Sequence, residues 1–393
     1  MVTSTVNINT NLISLNAIRA GDNQLFLVAR PAEPAHNTSS ANNAYDQIAK
    51  VLHRTQMEII HERVFGSLDA EPVIMTARKK SYQKNNIPCD TPVTYIQGSA
   101  PWGSGLAGIQ IQAVSCKNEG DRVWTIMDNS RPCGRGWRHK NAQYIILQNL
   151  QGLHEDSDNK TRLDQVHSMI ERAHQILRQH QGSYRDVVRT WFYLSDILDW
   201  YHEFNGVRNR LYDDFGIMPG AENEPLQLPA STGIQGDNIQ GSASVMDLLA
   251  IIAQDESRPS VQQLSNQRQK DAFRYGSAFS RGALISQPDV SLIQVSGTAP
   301  IDEAGQSQFP EDIKAQINCT FDKIEALLAD VGANLKDICS ATVFVKHPED
   351  IQPFWTMAAD RGLGDFPCVC VVADVCRAEL LFEIDAIAAF HRF

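Results

Sequence analysis

A glutamate stands inside an apolar run near the end of the chain. Glu383 lies between Phe382 and Ile384 in the stretch ADVCRAELLFEIDAIAAF, residues 373–390. Burying a carboxylate costs several kcal/mol unless the group is paired or performs chemistry. An acid whose pKa is raised by apolar surroundings can donate a proton at neutral pH. Glu383 is therefore a candidate general acid, and the alternative is a structural ion pair with an arginine.

A cysteine precedes this glutamate by seven residues. Cys376 can add to an electrophilic carbon and then leave, with the thiolate as the nucleophile. The alternative is an inert thiol of the core, which is the prediction for Cys339, Cys368 and Cys370. The eight cysteines contain no C-x-x-C pair and no zinc-type spacing with histidine, so no metal site is expected.

Arginines near glycines are candidates for binding an anionic ligand, because the guanidinium fork matches a carboxylate. The stretch RPCGRGWRHK, residues 131–140, predicts a loop that carries Arg135 and Arg138. Arg281 lies in the stretch FSRG. We favour Arg281 and Arg138, and the alternative for each arginine is a solvated surface charge. Tyr201 can close such a pocket or belong to a helix core.

Charge and hydropathy exclude several classes of protein. The net charge is −11 and no basic face is evident, so no nucleic-acid partner is expected. No apolar run approaches the roughly 20 residues that cross a bilayer, and the N-terminus does not resemble a signal peptide. We therefore expect no membrane partner and a cytoplasmic location. GSGLAG, residues 103–108, lies between two short strands and not at a strand-to-helix turn, which argues against nucleotide binding. No cofactor is expected.

An internal repeat organises the chain. Residues 45–66, 169–194 and 321–345 each contain an amphipathic helix followed by a β-branched and aromatic strand. An apolar strand precedes each helix, and each module closes with two strands joined by a turn. The sequence thus predicts strand, helix, strand, helix and paired strands, three times in succession. The predicted modules are 1–119, 120–253 and 272–393, with a polar linker at 254–271.

The repeat also gives an internal comparison for Glu383. In the first two modules the equivalent stretches read GIQIQ and SVMDL. This alignment puts Gln110 and approximately Met246 in place of Glu383, with Asp247 one register off and facing the other way. Only one module keeps the acid, which predicts a single active site at one module interface.

The third module resembles the Rid (YjgF/UK114) family. GSAFSRG, VSGTAPIDEAG and FEIDAIA are similar to that family's G-P-Y-S-Q-A, V-S-G-Q and E-I-E-A-I-A segments. Rid proteins are trimers with sites between subunits. The resemblance implies an α+β protein of three tandem Rid-like (chorismate-mutase-like) modules that form an intramolecular pseudo-trimer, as a monomer. Rid enzymes that hydrolyse enamines and imines carry an arginine two residues after Phe-Pro, where this chain has Val369.

The resemblance extends to the chorismatases, which are built on the same repeated fold. The segments that carry it are GSGLAGIQIQAV, VRTWFYLSDILDWYHEFNGVR, LPASTGIQG, FSRG, VSGTAPID and DVCRAELLFEID. It implies hydrolysis of chorismate to pyruvate and a cyclic acid without a cofactor. Glu383 matches the family's essential acid, Cys376 matches a cysteine of members that make a hydroxybenzoate, and Gly282 matches a glycine of the F-S-R segment.

The ring product and two rival functions stay open at this point. Among the products we favour 3-hydroxybenzoate over 4-hydroxybenzoate or dihydroxycyclohexadienoate. The rivals are a Rid-type enamine or imine deaminase and a small-molecule binding protein without catalytic activity.

Overall fold

The computed structural model describes residues 3–32, 38–98, 100, 103–117, 120–139, 142–152, 161–219, 227–253, 259–266, 268, 269, 271–287 and 289–391. Within them the chain forms three similar six-stranded mixed sheets, each covered by two α-helices. None of the helices in the described part of the chain is long and apolar enough to span a membrane.

The three modules have the same order of elements. The first contains β1 (Thr3–Asn9), β2 (Ile13–Ala20), β3 (Gln24–Pro31), α1 (Thr38–Thr55), β4 (Glu58–Gly66), α2 (Glu71–Lys84), β5 (Thr94–Gln97) and β6 (Leu106–Val114). The second contains β7 (Arg122–Asp128), β8 (Arg131–His139), β9 (Ala142–Gln151), α3 (Arg162–Gln179), β10 (Val187–Leu194), α4 (Ile197–Asp214), β11 (Ala230–Gln235) and β12 (Ser244–Ala253). The third contains β13 (Ser260–Leu264), β14 (Gly282–Ser286), β15 (Ser291–Thr298), α5 (Ile313–Ala329), β16 (Ile338–Val345), α6 (Ile351–Asp360), β17 (Cys368–Val372) and β18 (Phe382–Phe390).

The sheet order corrects one prediction about strand pairing. The sequence predicted that the two closing strands of each module pair with each other. In the first module β5 and β6 instead lie on opposite sides of β4, and each pairs with β4. The last strand of each module is antiparallel and lies between the third and fourth strands, where both of its edges are hydrogen-bonded. The short strand before it is parallel and takes the sheet edge. The sequence also predicted one strand before each first helix, whereas the structure has three.

Amphipathic helices cover one face of each sheet. In α3 the buried side chains include Val166, Ile170, Ala173 and Leu177, which recur at helical spacing along one side. The helix begins with a capping box, in which the Thr161 hydroxyl accepts from the backbone N–H of Asp164 and the aspartate side chain accepts from the N-H of Thr161. This face builds the core of the second module.

The opposite faces of the three sheets pack against one another at the centre of the molecule. One central cluster joins Phe26 of the first sheet, Trp137 and Tyr144 of the second, and Leu292 of the third. Strands of these sheets are therefore covered on both faces, as in β10, in which every residue is buried. The predicted intramolecular pseudo-trimer is confirmed.

Strand register defines which residues are equivalent in the three modules. Three cross-strand pairs have the same place in their sheets: Phe65 with Gly108, Tyr193 with Val245, and Phe344 with Glu383. The residues equivalent to Glu383 are therefore Gly108 and Val245. The acid remains unique to the third module.

This register corrects the sequence alignment of the repeat. Gln110 and Asp247 are equivalent to Asp385, two residues beyond Glu383 and on the same strand face. The sequence predicted Gln110 and Met246 as the counterparts of Glu383. Gln110 is two residues away from the true counterpart, and Met246 is one residue away. A register shift opposite Phe65 and Gly66 places an extra residue in β6. Because such a β-bulge changes the number of residues in one strand only, equivalent positions cannot be found by counting residues along the strand.

The Asp385 position forms a polar contact at each of the three module interfaces. Asp385 pairs with Arg189 of the second module at 3.2 Å, and Asp247 pairs with His61 of the first module at 2.9 Å. Gln110 donates to the backbone carbonyl of Ala341 in the third module at 2.7 Å. The contacts run from third to second, second to first and first to third module, as a cyclic trimer requires.

Part of the predicted linker belongs to a sheet. Residues 260–264 form β13, the edge strand that pairs with β14. The predicted domain boundaries at 119, 253 and 271 remain predictions.

Candidate functional site

The Glu383 pocket lies at the interface between the second and third modules. It has a volume of about 480 Å³. The second module supplies the first three turns of α4 and one side of β11. The third module supplies the segment before β14, residues just after β15, the segment that leads into β18, and Glu383 of β18 itself. The residues that line it include Tyr201, Asn205, Arg208, Gly233, Phe279, Arg281, Cys376 and Glu383.

Glu383 is a buried acid at the base of this pocket. The residue is 4% exposed and lies in β18 opposite Phe344. Burial, and next the charge of Asp385, raise the pKa of Glu383 to about 8, against the lowering influence of Arg189 and Arg281. At neutral pH the carboxyl is therefore predominantly protonated and can donate a proton.

A glycine leaves the space that this carboxyl occupies. A Cβ added at Gly297 in β15 would lie 2.2 Å from Oε1 of Glu383. A side chain at 297 would therefore require the Glu383 carboxyl to move.

A buried polar network supports β18 beneath Glu383. The Arg189 guanidinium donates to the Thr232 hydroxyl at 2.6 Å and to Asp385 at 3.2 Å. The Thr232 hydroxyl donates to Asp385 at 2.9 Å and accepts from the backbone N–H of Gly297 at 3.1 Å. This network joins β10 and β11 of the second module to β15 and β18 of the third, and so fixes both walls of the pocket.

Cys376 lies at the same pocket, in the segment just before β18. Burial, followed by the charge of Glu383, raises the pKa of the Cys376 thiol to about 12. The residue is therefore a thiol at neutral pH. To act as the predicted nucleophile, Cys376 would therefore need a base that accepts its proton as it attacks.

Two arginines lie close to the ring of Phe279. The guanidinium of Arg208 is 5.8 Å from the centre of the ring and that of Arg281 is 5.3 Å away. Arg208 is 1% exposed, and its Nε has no hydrogen-bond partner. Among the residues that the structure describes, no carboxylate pairs with Arg208. A buried guanidinium in this state is suited to an anionic ligand.

One face of α4 carries three of the pocket side chains. Tyr201, Asn205 and Arg208 follow one another at spacings of four and three, which places them on one side of a helix. The Asn205 side chain donates to the carbonyl of Tyr201 at 2.8 Å, and Arg208 donates to Asn205 at 2.6 Å. The asparagine therefore orients the arginine.

The structure brings together four of the seven site residues predicted from sequence. Glu383, Cys376, Arg281 and Tyr201 all line the pocket. Gly282 adjoins Arg281 but faces the module core, where an added Cβ would lie 3.2 Å from Leu327.

Arg135 and Arg138 lie elsewhere. Residues 131–139 form strand β8 and not the predicted loop. Arg135 donates to Thr125 at 2.6 Å and pairs with Asp90 at 3.2 Å. Arg138 borders a separate groove with Trp124. Neither arginine lines the Glu383 pocket among the residues described for it, so their prediction as carboxylate ligands has no support from position.

Sequence reasoning missed Arg208, Asn205 and Phe279. Arg208 carried a signal, because it follows Tyr201 by seven residues, which is about two helical turns. Phe279 carried no such signal, since it comes close to the guanidinium of Arg208 only when the second and third modules pack. In the described part of the chain, no group of three or more His, Cys, Asp or Glu side chains is arranged to hold a metal ion.

Comparison of sequences finds relatives of two kinds. The family described as Endoribonuclease L-PSP matches residues 275–390. A RutC family protein of Pyrococcus abyssi is 30% identical over 100 residues, which cover 25% of this chain and 78% of the relative. A chorismatase of Streptomyces rapamycinicus is 28% identical over 230 residues. That match covers 52% of this chain and 65% of the relative, which is less than two thirds of its length.

Comparison of structures finds the same fold over most of the chain. The crystal structure of a chorismatase superposes with a TM-score of 0.60 and covers 84% of this chain and 93% of its own. The sequence identity in that superposition is 18%, so the likeness shows a shared fold.

Proposed function

This chain is a chorismatase-like member of the Rid/YjgF (L-PSP) family, and from that premise we propose that it is a chorismatase that converts chorismate to pyruvate and a hydroxybenzoate. The observation that carries the proposal is Glu383, a carboxyl with a pKa of about 8 in a pocket that also contains two buried arginines. The similarity to a chorismatase over 230 residues supports the choice of substrate.

Glu383 acts as the general acid. Chorismate contains an enolpyruvyl ether, and transfer of the Glu383 proton to the methylene carbon produces an oxocarbenium ion. Cleavage of the bond between the ring carbon and the ether oxygen then releases pyruvate, whose carbonyl oxygen retains the electron pair of that bond. General acid catalysis works best when the pKa of the donor lies near the working pH, as it does for Glu383.

Arg208 and Arg281 bind the carboxylates. Chorismate carries two carboxylates, one on the ring and one on the enolpyruvyl group, and the pocket offers two guanidinium groups, both close to the Phe279 ring. Charge-assisted hydrogen bonds from arginine to carboxylate orient the substrate as well as hold it. The apolar Phe279 ring beside the two arginines suits the cyclohexadiene ring.

Cys376 directs the ring toward an aromatic product. After proton donation Glu383 is a carboxylate, and it can accept the Cys376 proton as the sulfur bonds to the electron-deficient ring. This step restores the acid. The neighbouring ring hydroxyl then displaces the sulfur, which leaves with its electron pair and takes the hydroxyl proton, and an epoxide forms across the two ring carbons. Opening of the epoxide at the carbon that first carried the hydroxyl, with loss of the proton from the other carbon and protonation of the oxygen, gives 3-hydroxybenzoate. Pyruvate and hydroxybenzoate together contain the atoms of chorismate, so no water is consumed, whereas dihydroxycyclohexadienoate requires one. We favour 3-hydroxybenzoate.

A Rid-type deaminase is the rival enzyme. Val369 occupies the position of that class's arginine, and it is fully buried in a separate apolar cluster that includes Phe65 and Trp191. No guanidinium is therefore available at 369 to hold the carboxylate of an enamine substrate.

The test is product analysis with the purified protein and chorismate, by chromatography with separate detection of pyruvate. Equimolar pyruvate and 3-hydroxybenzoate are expected, with loss of both in Glu383→Gln. Conversion of an imino acid to ammonia in place of this reaction would favour the deaminase. Binding of chorismate without turnover would leave a binding protein, in which Glu383 has a structural role.

A further inference from the structure

A second pocket occupies the interface that is related to the Glu383 pocket by pseudo-symmetry. This Arg30 pocket lies between the third and first modules and has a volume of about 650 Å³. Its lining residues come from equivalent elements: the start of β2, the end of β3, the start of α6 and one side of β17. The residues that line it include Ile13, Arg30, Pro31, Ala107, Ile351, Trp355 and Cys370.

Strand register establishes the equivalence of the two pockets. Ala29 and Thr298 face the equivalent residues Ile109 and Ile384 of the last strands. Arg30 therefore corresponds to Ala299, which lines the Glu383 pocket. Likewise Asn16 of β2 has the place of Arg281 just before β14. The positive charge is kept in the second pocket, but it has moved from one strand to the neighbouring strand.

Arg30 has an ordered and open guanidinium. Its Nη1 donates to the Asn16 side chain at 3.1 Å, and the guanidinium lies 4.8 Å above the Trp355 ring. The Nε and Nη2 atoms have no hydrogen-bond partner, and no carboxylate pairs with the side chain, within the described part of the protein. Two parallel N–H groups remain available for a bidentate bond.

Within the described part of the chain, the rest of the pocket is uncharged and lacks the acid, although the polar residues Asn9, Thr10, Ser14 and Gln352 also line it. Ile13, Pro31, Ala107 and Ile351 form apolar walls, and Arg30 is the only charged residue among the described lining residues. Trp355 is the fifth residue of α6, as Tyr201 is the fifth of α4, so both pockets have an aromatic side chain on the covering helix. Gly108 stands in place of Glu383.

From this arrangement we propose that the Arg30 pocket binds small planar aromatic monocarboxylates of the benzoate class without transforming them. One guanidinium matches one carboxylate, the apolar walls and Trp355 match a ring, and no acid is available for chemistry. The inference rests on the pocket and does not depend on the proposed reaction.

The direct test is a crystal of the wild-type protein soaked with 3-iodobenzoate, in which anomalous scattering locates the iodine. Iodine between Arg30 and Ile351 is expected. Absence of iodine from this pocket at a concentration that saturates the protein in solution would overturn the proposal, whether or not the Glu383 pocket is occupied and whether or not chorismate is consumed.

Calorimetric titration with benzoate tests the role of the charge. Arg30→Gln is expected to raise the Kd of one site at least about tenfold, while Arg210→Gln, a matched removal of an exposed arginine, leaves it unchanged. Benzamide, which has no charge, is expected to bind at least about tenfold more weakly than benzoate. Equal affinity and stoichiometry in folded Arg30→Gln and wild type, or equal binding of benzamide and benzoate, would overturn the proposal.

Discussion

Glu383 and Asp385 lie two residues apart on the same face of β18, but only Asp385 is paired with Arg189. The paired aspartate supplies a negative charge that, after burial, contributes most to raising the pKa of Glu383. Two neighbouring carboxylates thus have separate roles, one fixed by an ion pair and the other able to exchange its proton.

The first prediction concerns the pH dependence of catalysis. Because the proton donor is neutral Glu383, kcat/KM for chorismate is expected to be level below pH 8 and to fall about tenfold per pH unit above it. Glu383→Gln is expected to lower the rate about 10²–10⁴-fold. The fall of kcat/KM above pH 8, the alkaline limb of the profile, is expected to disappear in this variant. Glu379→Gln, an exposed neighbour, is the matched control. If the alkaline limb of kcat/KM persists in Glu383→Gln, that limb reports the titration of another group.

A second prediction tests the charge of Asp385. Replacing Asp385 by Asn removes a charge that raises the pKa of Glu383. The alkaline limb of kcat/KM should therefore move to lower pH, which pH–rate profiles of the two proteins will measure. The variant also leaves Arg189 buried without its partner, and a stability loss of about 3–5 kcal/mol is expected. An unchanged limb in a folded variant would show that the aspartate does not tune the acid.

The pH dependence of stability provides a third prediction. The pKa of Glu383 is raised from 4.5 to about 8 on folding, so between these values the native protein holds a proton that the unfolded chain releases. Its contribution to the free energy of unfolding is therefore complete below pH 4.5 and is lost as the pH rises through 8.

Denaturant titrations of wild type and Glu383→Gln isolate this effect. The stability of the wild type relative to the variant should fall with rising pH, by at most about 1.4 kcal/mol per unit. A difference that stays level over this interval would mean that Glu383 is ionised in the native protein.

A fourth prediction concerns Arg208. Arg208→Met removes the buried guanidinium but keeps much of the apolar stem, and KM for chorismate is expected to rise about 10–100-fold, the equivalent of about 1.5–3 kcal/mol. Steady-state kinetics measure the change, with Arg210→Met on the exposed side of the same helix as control. Equal KM values in the two variants would show that Arg208 does not bind the substrate.

The fifth prediction concerns the ring product. Cys376→Ala is expected to retain pyruvate release while its ring product shifts from hydroxybenzoate to dihydroxycyclohexadienoate, because water replaces the thiol. Chromatography of the products measures this ratio, and Cys339→Ala, a buried thiol in the central cluster, is the control. An unchanged product ratio would leave Cys376 as a packing residue.

The acid was predictable from local sequence because its physical signal is local. A carboxylate between Phe382 and Ile384 requires an explanation wherever the strand lies. Tyr201 and Arg208 share a helix face, so this pair was also within reach. The three-module architecture followed from the repeated order of helices and strands.

The arginines at 135 and 138 show what sequence cannot supply. Glycines suggested a loop, whereas Gly134 and Gly136 belong to β8, where an added Cβ at Gly136 would lie 2.3 Å from Trp124. These glycines serve close packing against a neighbouring strand. Which modules approach each other, and which guanidinium reaches the acid, is decided by packing between residues far apart in the chain.

Joining the three modules in one chain has an evolutionary consequence. In a trimer of identical subunits every substitution is repeated at three interfaces, so a change that benefits one site must be tolerated at all. Here Gly108, Val245 and Glu383 are encoded separately and can be selected separately. Tandem duplication thereby released each interface from symmetry, which allows one to specialise in chemistry while its two counterparts diverge under different selection.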